Sequence, residues 1–250
     1  MAGNALDNRG RGDSDRSWPS IHPDGRRFGL IALGVALFAL IILGWGWLGW
    51  PLLLLSLGVF AFFRDPERVV PRGESVLVSP ADGIVSRIEE VLPPREMLAD
   101  DGSGSTGLIP EAVTRVSIHI SLFDVHLNRA PIGGTVRRVV YMPGRFLNPE
   151  TDKAGEDNER QHIVIERDDG VIIGLTQIAG TIARRIVCFV KPGDMIAAGH
   201  RVGIIRFGSR VDLYLPRGTG SAVLLGQRVV GGETVIARLG RTEYLEGSRQ

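Results

Sequence analysis

The chain is poor in the residues on which much covalent and metal chemistry relies. Its 250 residues include one cysteine, Cys188. That excludes an intramolecular disulfide and a cysteine-built structural zinc site. Lysine is almost missing: of 29 basic residues only Lys153 and Lys191 are lysines, so lysine chemistry has little room. There is no charge of one sign either. The 29 basic and 28 acidic residues leave a formal charge of +1, too little for a field that recruits nucleic acid. No H-x-x-x-H or H-E-x-x-H pair occurs and no cysteine stands near a histidine, so no metal is expected. A secreted disulfide scaffold, a zinc finger and an acidic disordered tail are excluded together.

Glycine and apolar residues are abundant instead. From Phe28 to Phe63 the chain runs 36 residues without a charge, between Arg26-Arg27 and Arg64. One helix of that length would be about 54 Å long, against a hydrocarbon core of about 30 Å. The middle, Gly44-Trp45-Gly46-Trp47-Leu48-Gly49-Trp50-Pro51, combines helix breakers with tryptophans that favour a membrane–water interface. Two apolar helices over roughly 28–43 and 51–63, joined by a Trp-rich bend, are therefore expected. Each is shorter than an ordinary span, so a re-entrant hairpin and two crossings both remain open. Either way both ends emerge on one face, which the arginines mark as cytoplasmic. The polar leader, residues 1–27, has too little apolar content to pack and is expected to be disordered.

Residues 64–250 hold 24 basic and 24 acidic residues in 187, enough chain for a core of its own. Short apolar runs recur between Gly, Pro and Asp: Val76–Val78, Val113–Ile120, Val136–Tyr141, Ile163–Ile165, Val171–Ile173, Ile186–Val190 and Val202–Ile205. They read as strands of a barrel or sandwich, and the Gly/Ser-rich stretch within 93–110 reads as a flexible loop. A weak repeat aligns Pro80–Ile88 with Pro131–Val139 as P-x-x-G-x-V-x-R-[IV], which suggests two similar half-barrels. Asp82 in the first copy faces Gly133 in the second, so the turn itself does not require an aspartate. A third turn, Lys191 to Gly203, resembles the hairpin of lipoyl and biotinyl carrier domains. The expected fold is mainly β, a barrel-sandwich-like body resembling that carrier topology, behind an N-terminal hydrophobic helical hairpin.

Of five histidines, His22 lies in the leader, and His162 and His200 read as surface residues. Alternation places Ser117, His119 and Ser121 on one face of a strand, and groups Asp124, His126 and Asn128 on a polar face further on. Arg206-Phe207-Gly208-Ser209-Arg210 adds a Gly-Ser pair between two strands. An acid, a histidine and a serine are the ingredients of an activated nucleophile.

Four segments together carry a resemblance: S-P-A-D-G around Asp82, F-D-V-H-L-N-R-A-P around His126, D-K-A-G-E-D-N-E-R at 152–160, and R-F-G-S-R-V-D at 206–212. In this order the set resembles phosphatidylserine decarboxylases of the short prokaryotic type, over about residues 60–240. The resemblance implies a precursor that cuts itself between Gly208 and Ser209, giving a β chain (1–208) and an α chain (209–250) within one catalytic domain, 64–250. It implies that Asp82 orients His126, which takes the proton from the Ser209 hydroxyl, and that Ser209 becomes a covalent pyruvoyl cofactor. The substrate amine then forms a Schiff base with that ketone, and phosphatidylserine loses CO2 to give phosphatidylethanolamine. Longer members have a second histidine where this chain has Phe123, so protonation of the carbanion falls to His126 in a double role or to His119. Arg129, Arg160 and Arg210 are the implied candidates for headgroup contacts. The implied partners are a phospholipid, the cell membrane on its cytoplasmic side, and the two chains of one precursor, with a homodimer left open and no nucleic acid. Two other readings remain: an anchored serine hydrolase using the same three residues uncut, and a lipoyl-like carrier module, for which the hairpin tip Ala197-Ala198-Gly199-His200 lacks the lysine.

Overall fold

The computed structural model describes residues 19–99, 107–148, 154–181, 185–206 and 209–248. At the N-terminal end two antiparallel helices form the hairpin. The first, α1 (Pro23–Leu37), continues as a π-helical stretch, Phe38–Ile42, and the second is α2 (Gly46–Phe62). Helix α1 starts earlier than the charge-free run because His22 caps it and Pro23 opens its first turn, a position where a missing N–H does no harm. Helix α2 also starts earlier than expected, taking Pro51 inside it. The bend is thereby confined to residues 43–45, with Gly44 at a φ of 65°. The two helices approach closely through small residues. A Cβ on Gly25 would overlap Phe63, one on Gly29 would overlap Phe60, and one on Gly49 would overlap Leu40. Gly25 and Gly29 form a G-x-x-x-G pair, a spacing that lets membrane helices pack without a hydrophobic driving force.

The base of the hairpin is closed by a ladder between β1 (Ser20–Ile21) and β2 (Arg64–Asp65), so both ends leave on one side. Residues 20–27, expected to be disordered, are thus strand and helix, while 1–18 lie outside the described residues. Pro23–Ile42 is, among the described residues, the one helix long and apolar enough to cross a membrane; Gly46–Phe62 is shorter.

The body is mainly β. Its strands are β3 (Val76–Val78), β4 (Gly83–Val91), β5 (Val113–Ile120), β6 (Leu127–Arg129), β7 (Gly134–Met142), β8 (Arg160–Glu166), β9 (Ile172–Ala179), β10 (Ile186–Cys188), β11 (Met195–Ile196), β12 (Arg201–Ile205), β13 (Ser209–Tyr214), β14 (Arg228–Val229) and β15 (Val235–Arg238). Eight of them form one antiparallel sheet in the order β11-β7-β8-β9-β13-β5-β4-β14; β10-β12-β6 form a second sheet and β15-β3 a third. The large sheet curls: Ile196 on one edge strand and Val229 on the other share a single apolar core with Val85, Val136, Ile163, Val211 and Leu213.

The internal repeat is real in three dimensions. Gly83 and Gly134 open the two nine-residue strands β4 and β7, and a Cβ on either would overlap a carbonyl of the neighbouring strand, at His119 and Glu166 respectively. Both strands carry a bulge two residues later, between Val85 and Arg87 and between Val136 and Arg138. Both lend a backbone carbonyl to a glycine turn: Val85 accepts from Gly226 and Val136 from Gly193, each at 2.8 Å. The sheet is therefore two similar halves side by side, β4-β5-β13-β14 and β7-β8-β9-β11. In the second half β8 and β9 are joined by a tight turn at Gly170. In the first, the strands in the same relation, β5 and β13, pair directly although residues 121–208 lie between them in sequence. All four strands of the second half, and the strands β6, β10 and β12 of the second sheet, are inserted there.

Candidate active site

The point where that insert leaves and re-enters the first half is where the chemistry-bearing residues meet. Ile120 ends β5 and Ser209 begins β13, and they are register partners; on the other side Ser209 pairs with Ala179 of β9. Six residues beyond Ile120 the outgoing chain reaches His126, whose carbonyl accepts from Ile205 N–H at 3.3 Å, four residues before Ser209. Residues 83 positions apart in sequence are thus brought together by strand pairing alone.

Ser209 is fully buried on the core-facing side of its strand, in line with Val211 and Leu213, and its Oγ has no hydrogen-bond partner among the described residues. A buried hydroxyl left unpaired carries a penalty of about 1–3 kcal/mol, so a role other than stability is expected of it. Phe207 and Gly208, and with them the expected scissile bond, lie outside the described residues.

His126 is buried too, as are Asp124 and Asn128. The polar face expected to be wet is turned inward because the second sheet closes over it: Asn128 accepts from Gln177 Nε2 at 2.7 Å. The His126 ring lies against Phe62, the last residue of α2, with ring centroids 4.0 Å apart. Its Nδ1 is 2.9 Å from the carbonyl oxygen of Asp124. A carbonyl can only accept, so Nδ1 carries the proton and Nε2 keeps its lone pair. Burial pushes the imidazole down to about 4, against the hydrogen bond and charge of Asp124 and with help from the nearby Arg64. The ring is neutral at physiological pH, the state a general base needs.

Asp82 occupies the turn before β4. Its carboxylate takes Arg68 at 2.7 Å and the backbone N–H of Gly231 at 2.8 Å. Burial raises its pKa, opposed by Arg68 and the Gly231 N–H and assisted by the charge of Asp124. Asp82 therefore belongs to the same polar neighbourhood as the loop that holds His126, through Asp124. Arg68 was not singled out in the sequence, and Asp124 was read only as a member of the polar face that carries His126. Asp124 sits inside the F-D-V-H segment and is the residue whose backbone fixes the imidazole tautomer.

The remaining sequence candidates fall elsewhere. The register puts His119 in the row Ile84–His119–Arg210–Ile178, on the face of the sheet opposite Ser209, where it lines a shallow groove with Ile84, Ser86 and Leu225. Arg210 shares that face, buried and paired with Asp212 at 2.9 Å. Arg129 is buried, donating to Asp65, Pro66 and Gly199. Arg160 is half-buried and donates to the Asn158 carbonyl at 3.3 Å. His162, expected at the surface, is buried, with Nδ1 2.9 Å from the Thr176 hydroxyl. Its strand is covered on both faces, so alternation alone could not reveal this. His200 is exposed as expected.

The segment at 152–160 supplies two further residues that its charge pattern did not single out. Asn158 Nδ2 donates to Ala179 O at 2.7 Å, and Glu159 accepts from Ile186 N–H and, through its backbone carbonyl, from Ala179 N–H. Both clamp the strand end beside Ser209. The preceding strand end is held from the hairpin: Arg206 pairs with Asp24 at 2.7 Å and lies over the Phe28 ring.

Fold and site define a mainly β protein in which a buried serine and a buried histidine lie on neighbouring paired segments, the histidine packed against an apolar helical hairpin. Comparison with known proteins is specific. Residues 55–237 match the family model described as phosphatidylserine decarboxylase. The chain is 61% identical over its full length, and 99% of the relative's, to the phosphatidylserine decarboxylase proenzyme of Novosphingobium aromaticivorans. It is 57% identical over the full length of both chains to that of Erythrobacter litoralis. With that of Zymomonas mobilis it shares 51% identity over 93% of this chain and 92% of the relative. The chain belongs to the phosphatidylserine decarboxylase family.

Proposed function

We propose that the chain is a proenzyme that cuts itself between Gly208 and Ser209 and then decarboxylates phosphatidylserine to phosphatidylethanolamine at a membrane surface. The observation that carries this reading is Ser209 itself: a buried serine at the start of a central strand, its hydroxyl unpartnered, at the crossing where the neutral His126 also lies. His126 takes the Oγ proton through Nε2. Oγ then attacks the Gly208 carbonyl, and the peptide becomes an ester as the nitrogen of residue 209 departs from that carbon. Loss of the Cα proton expels the ester oxygen as the new carboxylate of Gly208. The dehydroalanine left at 209 takes up water and releases ammonia, leaving a pyruvoyl group. Alanine at 209 could not follow this course, having no leaving group at Cβ.

The full burial of Ser209 and its Oγ, without a partner among the described residues, fit a small ketone at this position. The pyruvoyl group supplies the electron sink on which loss of CO2 from an amino-acid headgroup depends. The chain's own residues do the rest. Asp124 keeps His126 in one tautomer, so the same Nε2 serves to accept and later return a proton; with His119 across the sheet, His126 is the better-placed donor. Asp82 holds Arg68 and the Gly231 N–H in place, and Arg160, half-buried at the start of β8, remains a headgroup candidate. We also read the paired glycine turns of the two halves as a carrier-like topology, and the hairpin as an anchor that holds the body on the cytoplasmic face of the cell membrane.

Cleavage would leave the new α chain in place. Its strands β13, β14 and β15 lie between or beside β-chain strands, and Val211, Leu213, Val229 and Ile236 belong to the shared core. Intact-mass measurement of the full-length protein beside Ser209→Ala tests the reading. The expected result is a 208-residue and a 42-residue chain, the smaller one ammonia lighter than encoded, and a single uncut chain in the variant. One full-length species in both would sink it and reopen the anchored serine hydrolase.

A further inference from the structure

Two apolar side chains at the hairpin end of the body belong neither to the core nor to the chemistry above. Leu122 and Phe123 form the tip of the loop between β5 and β6, and Phe123 is 87% exposed. This exposure is not that of a loose loop. Asp124 N–H donates to Ser121 O at 3.1 Å, while the Ser121 N–H and hydroxyl donate to Asp124 Oδ2 at 2.9 and 2.8 Å. Arg228 holds the other carboxylate oxygen of Asp124. A closed turn, pinned from four directions, presents an aromatic ring to the outside.

Its position is fixed relative to the hairpin. The Arg64 guanidinium donates to Ala61 O in the last turn of α2, at 2.8 Å, and to Phe123 O. Arg64 is the first charge after the 36-residue apolar run, so the tip stands level with the boundary between hairpin and body. Two cations touch it, Arg64 through the Phe123 carbonyl and Arg228, whose side chain is 68% exposed, through Asp124, and the exposed Arg26 and Arg27 lie in the first turns of α1, at the base of the same hairpin. An aromatic ring among arginines suits the interface of an anionic bilayer, the ring at acyl-chain depth and the guanidiniums among phosphates. A second copy of the chain would bring the same arginines face to face and is disfavoured by charge.

We propose that the Leu122–Phe123 tip is a second lipid contact, separate from the hairpin, that rests in the interface of an anionic bilayer and sets the height of the loop carrying His126. The hairpin is fixed to the body at its base, so hairpin and body can still tilt together in the bilayer when the hairpin is the single point of contact. A second point of contact removes that freedom, and Asp124, one residue after the tip, transmits it to the imidazole.

Two measurements on the full chain test this. In the first, Phe123→Cys in a Cys188→Ser background carries an environment-sensitive dye, in vesicles containing phosphatidylserine. Quenching by lipids with a nitroxide just below the headgroup supports the contact; quenching by a water-soluble quencher alone overturns it. In the second, which rests on the decarboxylase reading, Phe123→Asp is assayed on long-chain phosphatidylserine in vesicles and on a dispersed dihexanoyl form. Losing the interfacial burial of one ring should cost roughly tenfold in kcat/KM on vesicles, mainly in KM. The dispersed substrate should change less than about twofold, the tip adding nothing without an interface, and intact mass should still show complete cleavage. Equal losses on both substrates, or none on vesicles, overturn the proposal. If the unaltered protein decarboxylates neither substrate, the decarboxylase reading has failed, and the dye measurement alone decides the lipid contact.

Discussion

The two halves of the large sheet share a glycine opening, a bulge and a carbonyl-capped glycine turn, yet one carries the candidate chemistry and the other does not. In the second half β8 runs through a tight turn into β9. In the first, the corresponding turn is missing, and the chain leaves at Ile120 and returns at Ser209. The difference shows where the site comes from. The repeat supplies a rigid sheet, and the interrupted hairpin supplies two chain ends held side by side, one bearing His126 and the other Ser209. The same comparison holds within the turns: Asp82 meets Arg68 and Gly231, whereas Gly133 in the equivalent place has no side chain, and a Cβ there would meet only backbone atoms of Ile196, Ala197 and Ala198 at 3.4–3.6 Å.

The turn pair offers the sharpest way to break the comparison. Asp82→Asn should slow self-cleavage about 100-fold or more, read as the uncut fraction against time by intact mass, because the carboxylate that holds Arg68 and the Gly231 N–H is lost. Gly133→Asp should process at the normal rate. Equal behaviour of the two variants would mean that the halves are not functionally distinct.

Next in size is acid sensitivity. His126 and His162 are both pushed down by burial to about 4, while an unfolded histidine titrates near 6.5. The unfolded chain therefore binds more protons, and stability falls as pH drops from about 6.5 through about 4, by about 3 kcal/mol per histidine at the acid end. His162→Gln should flatten part of that slope in denaturant melts and leave cleavage intact. His126→Gln should flatten a similar part and abolish cleavage. A variant at 162 that stops cleavage would contradict the separation of the two faces.

A comparable effect on stability is expected at the glycines that open the two strands. Gly83→Ala and Gly134→Ala each force a methyl against a strand carbonyl, for about 1–3 kcal/mol. Only Gly83→Ala, one residue from Asp82, should also slow processing. The smallest effect concerns the hairpin. Phe62→Ala opens the His126 ring to water, so its pKa should rise towards that of a solvated imidazole. Cleavage near pH 7 should change little while its acid limb moves up in pH, and Phe62→Leu should restore most of the original profile.

Several features were legible before any tertiary contact was known. The charge-free run with its Trp-Gly bend announced a two-helix hairpin, although its boundaries came out early because His22 and Pro23 cap the first helix and Pro51 is absorbed near the start of the second. The P-x-x-G-x-V repeat announced the two halves, since both glycines meet the same steric demand. Asp82, His126 and Ser209 stood out by residue type and motif order. His162 did not read correctly, because a strand covered on both faces loses the alternation that signals exposure. Asp124, Arg68, Asn158 and Phe62 gave no local signal of their roles, each acting through a partner tens of residues away or through its backbone.

The sequence by itself determined what depends on short-range chemistry: the apolar hairpin, the mainly β body, the turn positions only glycine can fill, and the serine and histidine capable of the reaction. Only the tertiary structure decided which face each side chain took, that Ser209 is buried with no hydroxyl partner among the described residues, that His126 is neutral with the proton on Nδ1, and that the base of the hairpin touches the candidate site. Those properties are set by burial and by pairing between distant strands, and both arise only when the insert folds back between β5 and β13.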